Sequence, residues 1–455
     1  MTVPQTSPAP TTAACPSPHA WPLLYQPLSP QQAQEAAARC VRCSPAPCVA
    51  ACPTAIPIPD FIAAIAAGSH KHAARRIFAA NPLGASCARL CPVDMLCEGA
   101  CVRSKDSGQA VAIGQLQRHA TDAFVEQLPT LLPRAPHKPL SKAREQGMPV
   151  AVVGAGPAGL ACAHELASHG HSVTLFEARP WPGGLSAHGV APYKVADGIV
   201  EREIEAIMRC GDIRLHLNVM LGRDISLREL QDLYAAVFLG VGLQGSRLIA
   251  SQEAIQGALG VIEALRRGLA YPQGQQALII GGGMTAIDLA VELRMLGFSQ
   301  VTICHRGPTL RASAKEQALA RTHGVHVLLE TRFKEMTAHE AGGWLVTLQA
   351  PHDPAHQLRA DHVFAAIGQQ LFSLDDAHNA ALAMLALDEH GLILVDEHHR
   401  TSLPGVFAGG DCIATSANLT VAAVADGMRA AAAISDHLRA MASLPRQEVY
   451  ATWPT

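Results

Sequence analysis

Eight of the thirteen cysteines fall between Cys40 and Cys101, in two quartets. The first is Cys40, Cys43, Cys48 and Cys52, the last followed by Pro53. The second is Cys87, Cys91, Cys97 and Cys101, with Pro92 after Cys91. The first quartet reads C-x2-C-x4-C-x3-C-P. Thiolates at such spacings suit soft, thiophilic metals, iron–sulfur clusters foremost, and clusters carry electrons one at a time. Zinc is the alternative occupant, since eight thiolates can make two four-thiolate sites. Zinc ribbons, however, pair C-x2-C knuckles, and only Cys40 and Cys43 have that spacing. A thiol–disulfide motif at that pair lacks the surrounding βαβ pattern.

Glycine loops offer a second chemistry. The apolar stretch Val150-Ala151-Val152-Val153 runs into Gly154-Ala155-Gly156-Pro157-Ala158-Gly159-Leu160, an alanine-rich helix to His169, and a strand that ends at Glu177. The glycines permit a tight turn and close approach of backbone to a pyrophosphate. The helix start faces the phosphates, and the terminal acid takes ribose hydroxyls. The pattern recurs where Gln276–Ile280 leads into Gly281-Gly282-Gly283-Met284-Thr285, a helix through Leu296 and the strand Val301–Cys304. No acid closes this second unit. Arg306 and Arg311 stand where a ribose 2′-phosphate would sit, which favours NADP(H) over NAD(H); two solvated arginines are the alternative. A third turn, Gly409-Gly410-Asp411, precedes Asn418-Leu419-Thr420 and another helix. Asp411 suits a cofactor hydroxyl, and the helix start suits an electron-rich ring edge.

These residues need a scaffold, and 455 residues allow two or three domains with proper cores. The expected class is α/β: two Rossmann-like dinucleotide-binding domains preceded by an all-α cysteine-rich domain. Residues 1–35 carry no Lys or Arg and are rich in Pro, Ser, Thr, Ala and Gln, which reads as a mobile tail rather than a targeting peptide. Residues 36–140 form the helical domain, with helices around Phe61–Ile65, over Ala73–Ala80, and from Ile113 to about Gln127. The first nucleotide domain is split into 141–270 and 400–455, with the second, 271–399, inserted. A formal net charge of −3 gives no nucleic-acid surface, and no apolar run is long enough to span a membrane. Cysteines this sparse outside the quartets fit a reducing cytoplasm better than a disulfide scaffold.

Linked dinucleotide folds of this kind resemble the FAD/NAD(P) reductases of the glutathione-reductase type. Their active disulfide is missing: Cys162, Cys210, Cys304 and Cys412 are each solitary. With the cysteine domain in front, the chain resembles the amino-terminal half of dihydropyrimidine dehydrogenase and the separate small subunit of the bacterial NAD-dependent enzyme. It is similar, more distantly, to the glutamate synthase small subunit. The resemblance runs from about residue 36 to the end. It is carried by the first quartet, Asn81-Pro82-Leu83-Gly84 before Cys87, Cys91-Pro92, Leu96-Cys97, and Ile113-Gly114 before Leu116-Gln117.

The resemblance implies two [4Fe-4S] clusters with crossed ligation. One would use Cys52, Cys91, Cys97 and Cys101, the other Cys40, Cys43, Cys48 and Gln117, leaving Cys87 an ordinary buried thiol. It implies FAD on Gly154, Gly156, Pro157, Ala158, Gly159, Leu160, Glu177, Gly183, Gly184, Leu185 and Asp411. Lys194, Leu90, Leu419 and Thr420 would stand near the flavin. The nicotinamide nucleotide would lie on Gly281 to Thr285, with Ile367 and Gly368 nearby. Relatives usually have Asp where this chain has Met284.

The expected activity is electron input: NAD(P)H reduces FAD, and single electrons leave through the clusters. No side chain is needed as general acid or base, so no catalytic residue is named. Nothing in the chain resembles a pyrimidine-reducing FMN barrel, which implies an FMN-containing dihydropyrimidine dehydrogenase catalytic subunit as partner in a hetero-oligomer. The alternatives are a glutamate synthase-type or ferredoxin-linked NAD(P)H oxidoreductase, and a zinc-stapled interaction protein.

Overall fold

The computed structural model describes residues 21, 23–133, 149–195, 198–243, 245–247, 249, 254–269, 271–351, 354–371 and 380–443. The thiols sit among short helices. Ile58–Ala66 buries Ile58, Phe61, Ile62 and Ile65, and His70–Ala80 buries Ala73, Ala74, Ile77 and Phe78, in both cases at the three-and-four spacing of an amphipathic helix. Asn81 ends the second: its backbone turns to an extended conformation and its Oδ1 accepts the Leu83 amide at 2.9 Å. The chain then re-enters a helix at Gly84–Leu90, which carries Cys87 and delivers Cys91 just past its end. The helix expected from Ile113 stops at Asp122, and a 3-10 turn, Val125–Gln127, covers the remainder.

Each glycine loop follows a buried strand of a five-stranded parallel sheet. In the first sheet the order is Val406–Ala408, Ala236–Leu239, Val150–Val153, Val173–Glu177 and Ile213–Leu217. In the second it is Gln256–Gly257, His362–Ala366, Gln276–Gly281, Gln300–Cys304 and His326–Leu328. An antiparallel meander, Arg332–Ala338, Trp344–Gln349 and His356–Ala360, precedes the last strand of the second sheet to return. Strands buried on both faces read as continuous Val/Ile/Leu runs because parallel sheets are covered on both sides. The helix Pro157–Ser168 crosses the long helix Thr420–Ser443 at Gly427, where a Cβ would stand 2.1 Å from the Ala158 carbonyl oxygen. Only a glycine permits that approach.

Three expected boundaries move. Residues 1–20 lie outside the described residues, but the stretch from 23 to 35 is no free tail. Trp21 and Tyr25 are buried, and a helix starts at Pro30 behind a Ser29–Gln32 capping box. Composition hid this because two aromatics and the leucines at 24 and 28 suffice to anchor a polar segment. The second nucleotide domain begins near Gln256, not 271, because Gln256–Gly257 pairs with its sheet and Ala258–Arg266 packs on its core. The first domain resumes near residue 380, not 400, because Leu382, Leu385 and Ile393 belong to its core.

Candidate functional site

The first loop is a pinch of backbone. A Cβ on Gly154 would lie 2.4 Å from the Gly240 carbonyl oxygen, and Gly154 has φ +99°, so that position needs glycine. Glu177, at the end of the neighbouring strand, folds back on the loop. One carboxylate oxygen accepts the Ala155 amide at 2.8 Å and the other the Arg179 amide at 2.9 Å. Burial raises its carboxyl despite those donors. Asp411 is likewise raised by burial, and Ser416 donates to it at 3.3 Å.

These parts surround one cavity of about 350 Å³. Of the expected flavin residues, Leu90, Gly154, Gly156, Pro157, Ala158 and Glu177 line it, as do Gly184, Leu185, Lys194, Asp411, Leu419 and Thr420. Met284 and Thr285 of the second loop join them. Gly159, Leu160 and Gly183 are not on its wall. Leu160 is core, and Gly183 shapes the turn in which Gly184 comes close to Gly156. Sequence reasoning missed Asp288 and Gln369, which also line the cavity. The position of Asp288, one turn after Met284 on the helix Met284–Met295, was the available signal.

Gly281, Gly282 and Gly283 lie outside this cavity. A Cβ on Gly282 would stand 2.4 Å from the His305 ring, so the loop and the end of the next strand are in contact. Arg306 and Arg311 are exposed, beside His305, whose imidazolium is disfavoured by burial, then by Arg311 and Arg306. Ile367 is 41 % exposed and Gly368 has φ +112°; both stand next to Gln369 of the cavity wall.

At the wall between the two nucleotide domains, Lys194 Nζ lies 2.7 Å from Asp288 Oδ1 and 2.5 Å from Glu316 Oε1. Tyr193 donates to the same Asp288 oxygen at 2.5 Å. The cysteine domain is tied to both. Glu203 of the first nucleotide domain accepts the Ala85 amide at 2.7 Å and the Ser86 amide and hydroxyl at the start of the helix Gly84–Leu90. From the second, Lys315 meets Glu98 at 3.0 Å, and the Ala314 amide donates to Asp94 at 3.0 Å.

All eight quartet cysteines are free. Cys40, Cys43, Cys48 and Cys101 line a second, small cavity together with Ile58, Ile62, Val111 and Ile113. Cys91 faces Cys87, Cys97 and Cys52. Cys101, which the resemblance groups with Cys52, Cys91 and Cys97, thus also borders the cavity of the first trio. Cys101 ends the second quartet, yet it comes near Cys48 of the first. Gln117 is not on that cavity. It lies beside the helix that leads to Cys91, donating to the Gly84 carbonyl at 2.8 Å. Cys87 is buried. Among the described residues no three of His, Cys, Asp and Glu converge tightly enough to hold a single metal ion, and the four thiols of the small cavity stand around its wall instead. The donor set, all sulfur in an apolar shell, suits iron–sulfur chemistry. The glycine pinch and the buried acid at its side suit a dinucleotide.

The comparisons agree with this geometry. Residues 148–427 match the family model described as pyridine nucleotide-disulphide oxidoreductase. Residues 19–128 match dihydropyrimidine dehydrogenase domain II, 4Fe-4S cluster. The chain is 32 % identical to the NAD-dependent dihydropyrimidine dehydrogenase subunit PreT of Salmonella typhimurium, over 90 % of this chain and 95 % of that protein. It is 30 % identical to the glutamate synthase [NADPH] small chain of Azospirillum brasilense, over 93 % and 92 %. Among solved structures, Lactococcus lactis thioredoxin reductase shares the fold with a TM-score of 0.52 at 21 % identity, over 64 % of this chain and 99 % of that one. Among the described residues no helix is long and apolar enough to cross a membrane. Pinched glycine loop, second nucleotide loop and thiol-lined helical domain thus meet at one cavity in a chain that belongs to the pyridine nucleotide-disulphide oxidoreductase family, an NAD(P)-dependent oxidoreductase of the kind that carries a dihydropyrimidine dehydrogenase-type 4Fe-4S domain at its front.

Proposed function

We propose that this chain is the electron-input subunit of a dihydropyrimidine dehydrogenase-type enzyme. It would take hydride from NAD(P)H and pass single electrons through two [4Fe-4S] clusters to an FMN-containing partner that interconverts uracil or thymine and their 5,6-dihydro forms. The observation that carries the reading is Leu90. It lines the same cavity as Gly156, Lys194 and Met284, and the next residue in the chain is Cys91. The thiol site therefore begins one residue from the wall of the flavin-type cavity.

FAD would be held by Gly154, Gly156 and Ala158 at its phosphates, by Glu177 at a ribose, and by Lys194, Asp411 and Thr420 around the ring. It supplies the conversion between two-electron and one-electron chemistry when bound. The nicotinamide nucleotide would enter past Gly282 and Gly283, with Met284 and Thr285 at the reacting end. Cys40, Cys43, Cys48 and Gln117 would hold one cluster, by the crossed ligation that the resemblance implies. Cys52, Cys91, Cys97 and Cys101 would hold the other. Protein residues position the groups and exclude water, and Leu90 fills the space between cavity and thiols with apolar atoms.

The relative from Salmonella typhimurium supports the pyrimidine branch. The similarity to the glutamate synthase [NADPH] small chain favours a second reading, in which the electrons serve glutamate formation by another partner. The test is an anaerobic assay of the purified chain. Alone, it should transfer electrons from NAD(P)H to artificial acceptors and leave uracil unchanged. With an FMN-containing pyrimidine subunit it should form dihydrouracil. Uracil turnover by the chain alone overturns the subunit reading, and glutamate formation with an amidotransferase partner promotes the second.

A further inference from the structure

Among the described residues, the wall between the nucleotide domains gathers three buried acids and one buried ammonium. Lys194, Asp288, Glu316 and Glu292 are all buried; Glu292 is 0 % exposed. Lys194 Nζ serves Asp288 at 2.7 Å and Glu316 at 2.5 Å, and the Tyr193 hydroxyl adds a neutral donor to Asp288. Glu316 also closes its own capping box, accepting the Ser313 amide at 2.9 Å. Glu292 follows Asp288 by one turn of the same helix, and among the described residues neither of its carboxylate oxygens has a hydrogen-bond partner. Arg266 faces it from the neighbouring helix, with its guanidinium on the Ala187 and Val195 carbonyls.

A buried carboxyl with no donor is held as the neutral acid, because ionising it there costs several kcal/mol. Burial lifts Glu292 well above the ordinary carboxyl range, and lifts Asp288 as well. With Glu292 neutral, Lys194 still leaves one negative charge in excess over Asp288 and Glu316. A single added proton removes it.

We propose that Asp288 is the proton acceptor of this site: on the cavity wall, it takes the proton that a reduced flavin gives up, while Glu292, one helical turn behind, stays a neutral acid and adds no charge to the wall. The inference rests on the reading of the cavity as a flavin site. The balance is simple. FADH⁻ losing two electrons singly to two one-electron iron–sulfur acceptors breaks its N5–H bond and becomes FAD. One proton remains, an O–H bond forms on Asp288, and the charge of the Lys194, Asp288 and Glu316 trio goes from −1 to zero. Lys194 and Tyr193 hold Asp288 toward the cavity, and Glu292 lies one helical turn behind it.

The experiment is infrared difference spectroscopy of the flavin-loaded full chain between oxidised and photoreduced states, in H2O and D2O. The expected result is a carboxylic-acid carbonyl band that follows the flavin redox state, shifts in D2O, is kept in Glu292→Gln and is lost in Asp288→Asn. Carbon-13 labelling of aspartate and glutamate in the wild type assigns the band without any substitution. Single-turnover flavin reoxidation in Asp288→Asn should slow by about tenfold or more, as general acid–base contributions run. Bound flavin with no carboxyl band, or a band unchanged in Asp288→Asn, overturns the inference alone. A wild-type chain that binds no flavin defeats the parent reading and this one with it.

Discussion

Glu203→Gln isolates the contact between the cysteine domain and the first nucleotide domain. Glu203 is 0 % exposed and accepts two amides and a hydroxyl at the start of the helix that delivers Cys91. Burial is the largest influence on its carboxyl and outweighs those donors and Arg89, raising it from 4.5 to about 7. A carboxyl raised by folding contributes stability below its unfolded value and loses it as pH climbs through the folded one. The loss therefore falls between about pH 4.5 and 7. From pH 5.5 to 8 the wild type should lose about 2 kcal/mol that the glutamine variant keeps. In a cooperative unit of roughly 150–250 residues, 1 kcal/mol moves Tm by about 2–4 °C. The Tm difference, variant minus wild type, should thus grow by roughly 4–8 °C across that range. Thermal melts of the loaded chain at half-unit pH steps read this directly. The absolute Tm of the variant also reflects its amide nitrogen facing the Ala85 amide, but that offset is independent of pH. Parallel profiles would refute the reasoning, since they would mean that Glu203 does not titrate in the window.

Other perturbations separate the remaining claims. If the ligation is crossed as the resemblance implies, the Cys43→Ser/Cys48→Ser double variant should lose the same half of the iron as either single variant, while Cys43→Ser/Cys101→Ser should lose nearly all; metal analysis decides. Cys87→Ser should retain full iron content, and loss of a cluster would make Cys87 a ligand. Replacing Arg306 and Arg311 with Ala should weaken NADPH binding by on the order of a hundredfold and leave NADH nearly unaffected, because arginine–phosphate contacts are charge-assisted; equal effects would make both arginines mere surface. Lys194→Met strands Asp288 and Glu316, so it should destabilise the chain by about 3–5 kcal/mol, and restoring charge balance with Glu316→Gln in the same chain should recover part of that loss in a denaturant melt.

The two nucleotide folds were legible because their signals are local. A buried strand, a glycine turn and an amphipathic helix are adjacent in sequence, and Gly154 must be glycine for a reason that its own neighbourhood supplies. The grouping of the thiols was not legible in that way. Cys101 and Cys48 are far apart in the chain, and their meeting depends on how Ile58–Ala66 and Ile113–Asp122 pack, which spacing does not encode. Asp288 and Glu292 were passed over because a carboxylate on a helix after a glycine loop reads as a solvated residue. Only burial against Lys194, which arrives from the other domain, gives the pair a chemical environment. The amino-terminal segment escapes composition for a similar reason: Trp21 and Tyr25 carry little weight in an average over 35 residues but are buried.

The central claim is that electrons leave the flavin cavity through the thiols beside Leu90. It is tested most directly by an anaerobic single turnover of wild type and Cys91→Ser, each carrying its flavin, in the presence of the FMN-containing partner and uracil. NAD(P)H should bleach the flavin in both proteins. In the wild type the flavin should then recover its colour as dihydrouracil forms, whereas in Cys91→Ser it should stay bleached. Recovery at the wild-type rate in Cys91→Ser would contradict the route.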